Sequence, residues 1–185
     1  MTSGRLEVIT GPMFSGKSEE LIRRVNRFKY SKPLRDILFF KHKIHSLPGN
    51  NRLSTHSGVN VFCRDIEEVK EILTTELMFN EPPVIGLDEA QFFDEYEDVK
   101  YIQTMVELGN QVFISGLSRD SRGEPFGYMP EILCMADHIT TLTALCTVCG
   151  GEATMTYRKT PGGSQINTDD GNNYESRCRL HWEAR

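Results

Sequence analysis

No stretch of this 185-residue chain approaches the roughly 20 consecutive apolar residues that a membrane-spanning helix needs. The opening MTSGRLEVITG also lacks the long apolar core of a secretion signal. A soluble, cytoplasmic protein with no membrane partner is the expectation. An excess of positive charge is missing too: 21 Lys and Arg stand against 26 Asp and Glu, a net charge of −5. Phosphate backbones favour basic faces, so no nucleic-acid partner is expected. Internal repeats and low-complexity tracts are absent. Cysteine is scarce and odd in number, five in all, which argues against a disulfide framework. Cys63 and Cys134 lie in the apolar contexts NVFC and EILCMAD and read as buried, reduced thiols.

What is present is an alternation of strand and helix patterns. Strand signals fall at 6–10 (LEVIT), 35–41 (RDILFFK), 82–90 (PPVIGLDEA) and 111–117 (QVFISGL), the third apolar enough to be buried on both faces. Helical spacing falls at 18–30, where Leu21, Ile22, Val25 and Phe28 share a face, and again at 65–78 and 98–109. The segment 45–58, rich in Gly, Asn and Ser, reads as a loop. This order implies an α/β fold, a mostly parallel sheet with helices on both faces. From about Ile139 the character changes to turn signals and short Thr- or Tyr-rich strands. The chain is therefore read as 1–140, a nucleotide-binding domain, and 141–185, a small metal-binding domain.

Four stretches carry chemistry. Gly11, Pro12, Met13, Phe14, Ser15, Gly16, Lys17 and Ser18 complete a G-x-x-x-x-G-K-S pattern after a strand and before a helix, the context of a phosphate-binding P-loop. Backbone N–H groups and the helix N-terminus would cradle the phosphates, with Lys17 reaching the terminal ones and Ser18 holding Mg²⁺. VIGLDEAQFFDE ends a buried strand in Asp88 and Glu89; Asp88 suits the Mg²⁺ side, and Glu89 is placed to take a proton from an attacking oxygen. Cys146-x2-Cys149 and Cys178-x2-His181 make two knuckles of a closed, structural Cys₃His zinc site. Between them, 158–177 is polar and Gly-rich, a lid over a small substrate. Its few bases, Arg158 and Lys159, are opposed by Asp169 and Asp170, so the zinc module is not read as a nucleic-acid reader. Asp94, Glu95, Glu97 and Asp98 read as an exposed acidic helix start, and His42, His56 and His138 as local or solvent-facing.

Together GPMFSGKS, LDEAQFF, PFG and CTVCG…YESRCRLHW resemble the zinc-containing thymidine kinases of cellular, bacterial and viral type, from Val8 to Trp182. The resemblance implies a P-loop NTPase-type sheet, a small zinc-ribbon-like domain with a lasso loop, and usually a homotetramer. It implies transfer of the ATP γ-phosphoryl group to the 5′-hydroxyl of thymidine, in pyrimidine salvage for DNA synthesis. ATP, Mg²⁺ and structural Zn²⁺ are the implied cofactors. By the same resemblance Glu89 is the general base, Asp88 the Mg²⁺-side acid, and Met13, Phe92, Leu117, Phe126 and Tyr174 line the nucleoside pocket. Segment 165–173 would hold the base through backbone groups. The sequence departs from the family pattern at His45, where an acid is usual, at Ser118 and Ser121, where an acid and an aromatic are usual, and at Asp169-Asp170, where Gly-Gly is usual. A kinase for another or modified pyrimidine nucleoside, or a nucleotide-binding zinc protein without catalysis, are the alternatives these changes raise.

Overall fold

Strand β6 (Val84–Asp88) is buried at all five positions, as an unbroken apolar run sandwiched between helical layers requires. In the computed structural model, which describes residues 3–31, 35–42, 52–54, 58–68, 81–93, 95–166 and 171–184, this strand lies inside a six-stranded sheet. Its companions are β1 (Arg5–Thr10), β2 (Ile37–Lys41), β5 (Arg64–Asp65), β7 (Gln111–Gly116) and β8 (His138–Thr141). The order is β5-β2-β6-β7-β1-β8, and every pairing is parallel.

The two-residue alternation of the strands sorts their side chains into two cores. On one face Ile9, Phe39 and Phe113 meet Leu21, Ile22 and Val25 of α1 (Lys17–Asn26). On the other, Leu6, Val8, Phe40, Ile85, Leu87, Val112 and Ile114 meet Val99, Ile102 and Met105 of α2 (Tyr96–Glu107) and Met129 and Ile132 of α3 (Met129–Met135). Gly86 brings α1 close: a Cβ there would come within 2.8 Å of the Phe39 ring and 3.2 Å of Val25. The carboxyl ends of β1 and β6, which carry the G-x-x-x-x-G-K-S loop and Asp88, open on the same edge of the sheet, where ligands bind in open α/β folds.

The C-terminal part is built from antiparallel pairs. β9 (Ala144–Leu145) pairs with β10 (Glu152–Ala153) and β11 (Met155–Arg158) with β12 (Tyr174–Arg177). Ala144, Cys146, Ala153 and Cys178 form its small core.

Differences from the sequence expectation have local causes. The first helix stops at Asn26, and 27–30 tightens into a 3₁₀ turn that leaves Phe28 edge-on to Phe113 at 5.7 Å. The loop expected over 45–58 contains β3 (Arg52–Ser54), which pairs with β4 (Asn60–Phe62); Leu53 enters the core, and three residues are too few for an alternation signal. β5 and a 3₁₀ turn (Ile66–Glu68) stand where the helix of 65–78 was expected to begin, and 69–78 lies outside the described residues. Helix α3 has only seven residues, fewer than two turns of periodicity. Cys134, expected to be buried, is exposed, while Cys63 is buried; on α3 only Met129 and Ile132 are buried, and Cys134 lies off their face.

Ile102 is 1% exposed in the α2 core. Ile102→Ala is expected to lower the unfolding free energy by about 2–5 kcal/mol. Tyr30→Ala, at a residue 90% exposed, should stay within about 0.5 kcal/mol of wild type. Urea unfolding monitored by circular dichroism measures both.

Candidate active site

The G-x-x-x-x-G-K-S loop leaves β1 through Gly11, where a Cβ would meet Leu142 O at 2.6 Å and Ser15 Oγ at 2.7 Å. Phe14 (φ 64) and Gly16 (φ 79) both adopt left-handed backbone, and Gly16 caps α1. Such alternations turn backbone N–H groups inward and make anion-binding concavities. Ser15 Oγ and Lys17 Nζ each donate to Pro12 O at 2.8 Å. Pro12, Met13 and Phe14, bulky for the inside of such a loop, have separate places. Pro12 is buried, Phe14 is 44% exposed, and Met13 packs on Phe92, Leu117 and Phe126. The Met13 N–H donates to Thr156 Oγ1 at 3.0 Å, which fastens the loop to β11.

At the end of β6, Asp88 and Glu89 part company. Asp88 is 2% exposed and accepts hydrogen bonds from Ser115 and Ser18. Burial, and then the nearby Glu89 carboxylate, push its pKa up to about 6, against the pull of Ser115, Ser18 and Lys17. Lys17 is lowered by burial, with Glu89 and Asp88 opposing. Glu89 takes a left-handed backbone (φ 58, ψ 40), after which Ala90–Phe92 forms a 3₁₀ turn. That reversal ends the strand and sends the Glu89 side chain into a cavity.

This cavity is lined by Met13, Phe14, Gly16, Lys17, Ser18, Glu89, Phe92, Leu117, Phe126 and Tyr174, all singled out in the sequence. Phe92 and Phe126 meet edge to face at 5.7 Å. Gly11 and Pro12 line a neighbouring cavity with Ser118 and Arg119; Ser121 lines the main one. Gln91, Asp120 and Thr156 are wall residues without a role in the sequence expectation, while Gln165 belongs to the expected base-holding segment 165–173. Asp120 accepts from the backbone N–H of Arg122 (2.9 Å) and Glu124 (3.0 Å), and from Gln165 Nε2 (3.0 Å). It thus shapes its own turn and holds Gln165 to it. Of the expected base-holding segment, 167–170 lies outside the described residues, as do His45 and His56.

Cys146, Cys149, Cys178 and His181 bring one ligand atom each to within 4.8 Å of one another. Cys149 Sγ to Cys178 Sγ is 3.9 Å and Cys146 Sγ to His181 Nδ1 is 3.8 Å. A tetrahedron with Zn–S bonds of about 2.3 Å has edges of about 3.8 Å, so the set fits zinc. The Cys146 thiol is drawn down to about 6, chiefly by the backbone N–H of Cys178, which favours the thiolate that a metal requires. Among the described residues no helix is long and apolar enough to cross a membrane.

A family model described as thymidine kinase matches residues 4–182. The chain belongs to this family. It is therefore a kinase, a transferase acting on nucleosides, and the cavity that joins the phosphate loop to an aromatic-walled chamber has the form such an enzyme needs.

Two outcomes follow for this kinase. Since the folded-state pKa of Asp88 is raised from 3.8 to about 6, its contribution to stability is full below 3.8 and is lost as pH rises through 6. Asp88→Asn should accordingly be more stable than wild type above pH 7, by up to about 3 kcal/mol. The difference should vanish by about pH 4 in urea titrations. Cys146→Ser should lose bound zinc, measured by elemental analysis, and raise the nucleoside KM more than the KM of the phosphate donor.

Proposed function

We propose that the kinase transfers the γ-phosphoryl group of ATP to the 5′-hydroxyl of thymidine, giving thymidine monophosphate. The observation that carries this reading is the shared cavity: Lys17, Ser18 and Glu89 line one end, and Met13, Phe92, Leu117, Phe126 and Tyr174 line the rest. Donor phosphates and an acceptor nucleoside meet there without a barrier. Phosphoryl transfer asks mainly for alignment and charge stabilisation, and the residues divide accordingly. Amide groups of 15–18 and the α1 N-terminus cradle the phosphates. Lys17 swings from Pro12 O to the terminal phosphates. Ser18 and Asp88 already share a hydrogen bond and are the pair that would hold Mg²⁺, which when bound offsets charge on the phosphate oxygens. Glu89 accepts the proton of the 5′-hydroxyl as the oxygen attacks. The apolar walls exclude water from the nucleoside, and the polar segment 158–177 serves as its lid.

In the same proposal, 1–140 is the nucleotide-binding domain and 141–185 the zinc-bound lasso domain. The protein works in the cytoplasm as a homotetramer supplying DNA precursors, as the family resemblance suggests. A second reading has a specific support: Ser121 lines the cavity where the resemblance expects an aromatic. A missing stacking surface weakens thymine binding by about 1 kcal/mol and leaves room for another or modified pyrimidine deoxynucleoside.

A panel of nucleosides incubated with ATP and Mg²⁺ decides among these. Thymidine is expected as the best acceptor, with Glu89→Gln lowering kcat by about 10²–10⁴-fold. Transfer only to other pyrimidine nucleosides would establish the second reading. No transfer to any nucleoside, with ATP and zinc both bound, would refute both.

A further inference from the structure

We propose that Gln91 is a positioning residue that fixes the Glu89 carboxylate relative to the nucleoside wall. The inference rests on the reading of Glu89 as the proton acceptor. Gln91 is 1% exposed, a depth at which a side-chain amide is kept only with partners. Its amide oxygen accepts the Leu117 N–H at 2.9 Å, and its amide nitrogen donates to Glu89 Oε2. These two bonds also settle the orientation of the amide. A backbone N–H needs an acceptor, so Oε1 must face Leu117, and the donor end must then face Glu89.

The residue is clasped on both sides. A Cβ on Gly116 would lie 3.0 Å from Gln91 Oε1, and a Cβ on Gly127 would lie 2.4 Å from Gln91 O. Two glycines thus let the chain close tightly around one glutamine. Glu89 needs such support, because its left-handed backbone is left by the 3₁₀ turn with no pairing to a neighbouring strand to aim it. Register pairing between β6 and β7 ends at Leu87 and Ile114. Beyond that point Ser115 bonds Asp88, and one step further the Gln91 bridge carries the connection, from Glu89 to Leu117 in the aromatic-walled end. Gln91 therefore sets the distance over which a nucleoside hydroxyl, seated against Leu117 and Phe92, reaches the carboxylate. A displacement of about 1 Å from productive geometry lowers rates by about 10²-fold, which gives this bridge its weight.

The test is a double-mutant cycle read in kcat and KM. Gln91→Met removes donor and acceptor at similar length; Gln91→Glu retains the acceptor for Leu117 and covers the case in which the first variant does not fold. Each is expected to lower kcat at least 10-fold, with KM for nucleoside and ATP changed less than 3-fold. In a Glu89→Gln background, Gln91→Met should cause no further loss of kcat, since its effect passes through Glu89. If Glu89→Gln abolishes turnover while the Gln91 variants keep kcat within 2-fold, or act through KM alone, the positioning role is overturned and Glu89 remains the base. A full additional loss in the double variant overturns it as well, because Gln91 would then act through general packing. If Glu89→Gln keeps its activity, the reading of Glu89 itself falls, and the inference falls with it.

Discussion

Asp88 holds a carboxylate where burial disfavours one, and Ser115, Ser18 and Lys17 keep it there. The rest of the site is arranged around this balance. Ser115 belongs to β7, Ser18 and Lys17 to the first turn of α1, and Asp88 to the last position of β6. Three elements thus converge on one buried group, and the phosphate loop is braced against the sheet edge as a result. The burden on stability stays at a single point because Glu89 turns away at once into left-handed backbone. Two adjacent carboxylates in a continued strand would alternate across the two cores; the turn instead sends the second into the cavity.

A second linkage joins the phosphate loop to the C-terminal part. Met13 N–H bonds Thr156 Oγ1, and Thr156 O accepts from Trp182 Nε1 at 3.0 Å. The Trp182 ring in turn lies against Gly123, where a Cβ would approach it to 2.9 Å. Gly123 ends the turn shaped by Asp120, whose backbone O it bonds at 3.1 Å. The loop, the β11–β12 hairpin and the 118–124 turn are therefore neighbours joined by hydrogen bonds and by the packing of the Trp182 ring. The knuckles Cys146–Cys149 and Cys178–His181 flank that hairpin, with Thr147 N bonded to Ser176 O at 3.0 Å.

How much of this was readable in the sequence depended on the range of the signal. The central strands were legible because burial on both faces leaves an unbroken apolar run, and β6 is the clearest instance. The paired knuckles were legible because their spacing follows from metal geometry. Met13, Phe92, Leu117, Phe126 and Tyr174 entered through family resemblance, since nothing in local periodicity marks a pocket wall. Gln91 stands within a quoted motif but was given no role, and Asp120 was not singled out at all. Their partners, Leu117 and Gln165, lie 26 and 45 residues away, and a side chain bonding to distant backbone or to a loop leaves no periodic trace. The β3–β4 hairpin and α3 were missed because each is too short to show a repeat.

The bond between Met13 and Thr156 has a practical meaning for anyone trimming the chain. A fragment ending near residue 140 would retain every residue of the G-x-x-x-x-G-K-S pattern and both carboxylates of β6. It would still lack the hydroxyl that holds the Met13 amide, and with it the Thr156, Gln165 and Tyr174 side of the chamber. The nucleotide end of this protein is thus no free-standing cassette. Grafting its loop onto another scaffold would have to carry a threonine from the opposite end of the chain.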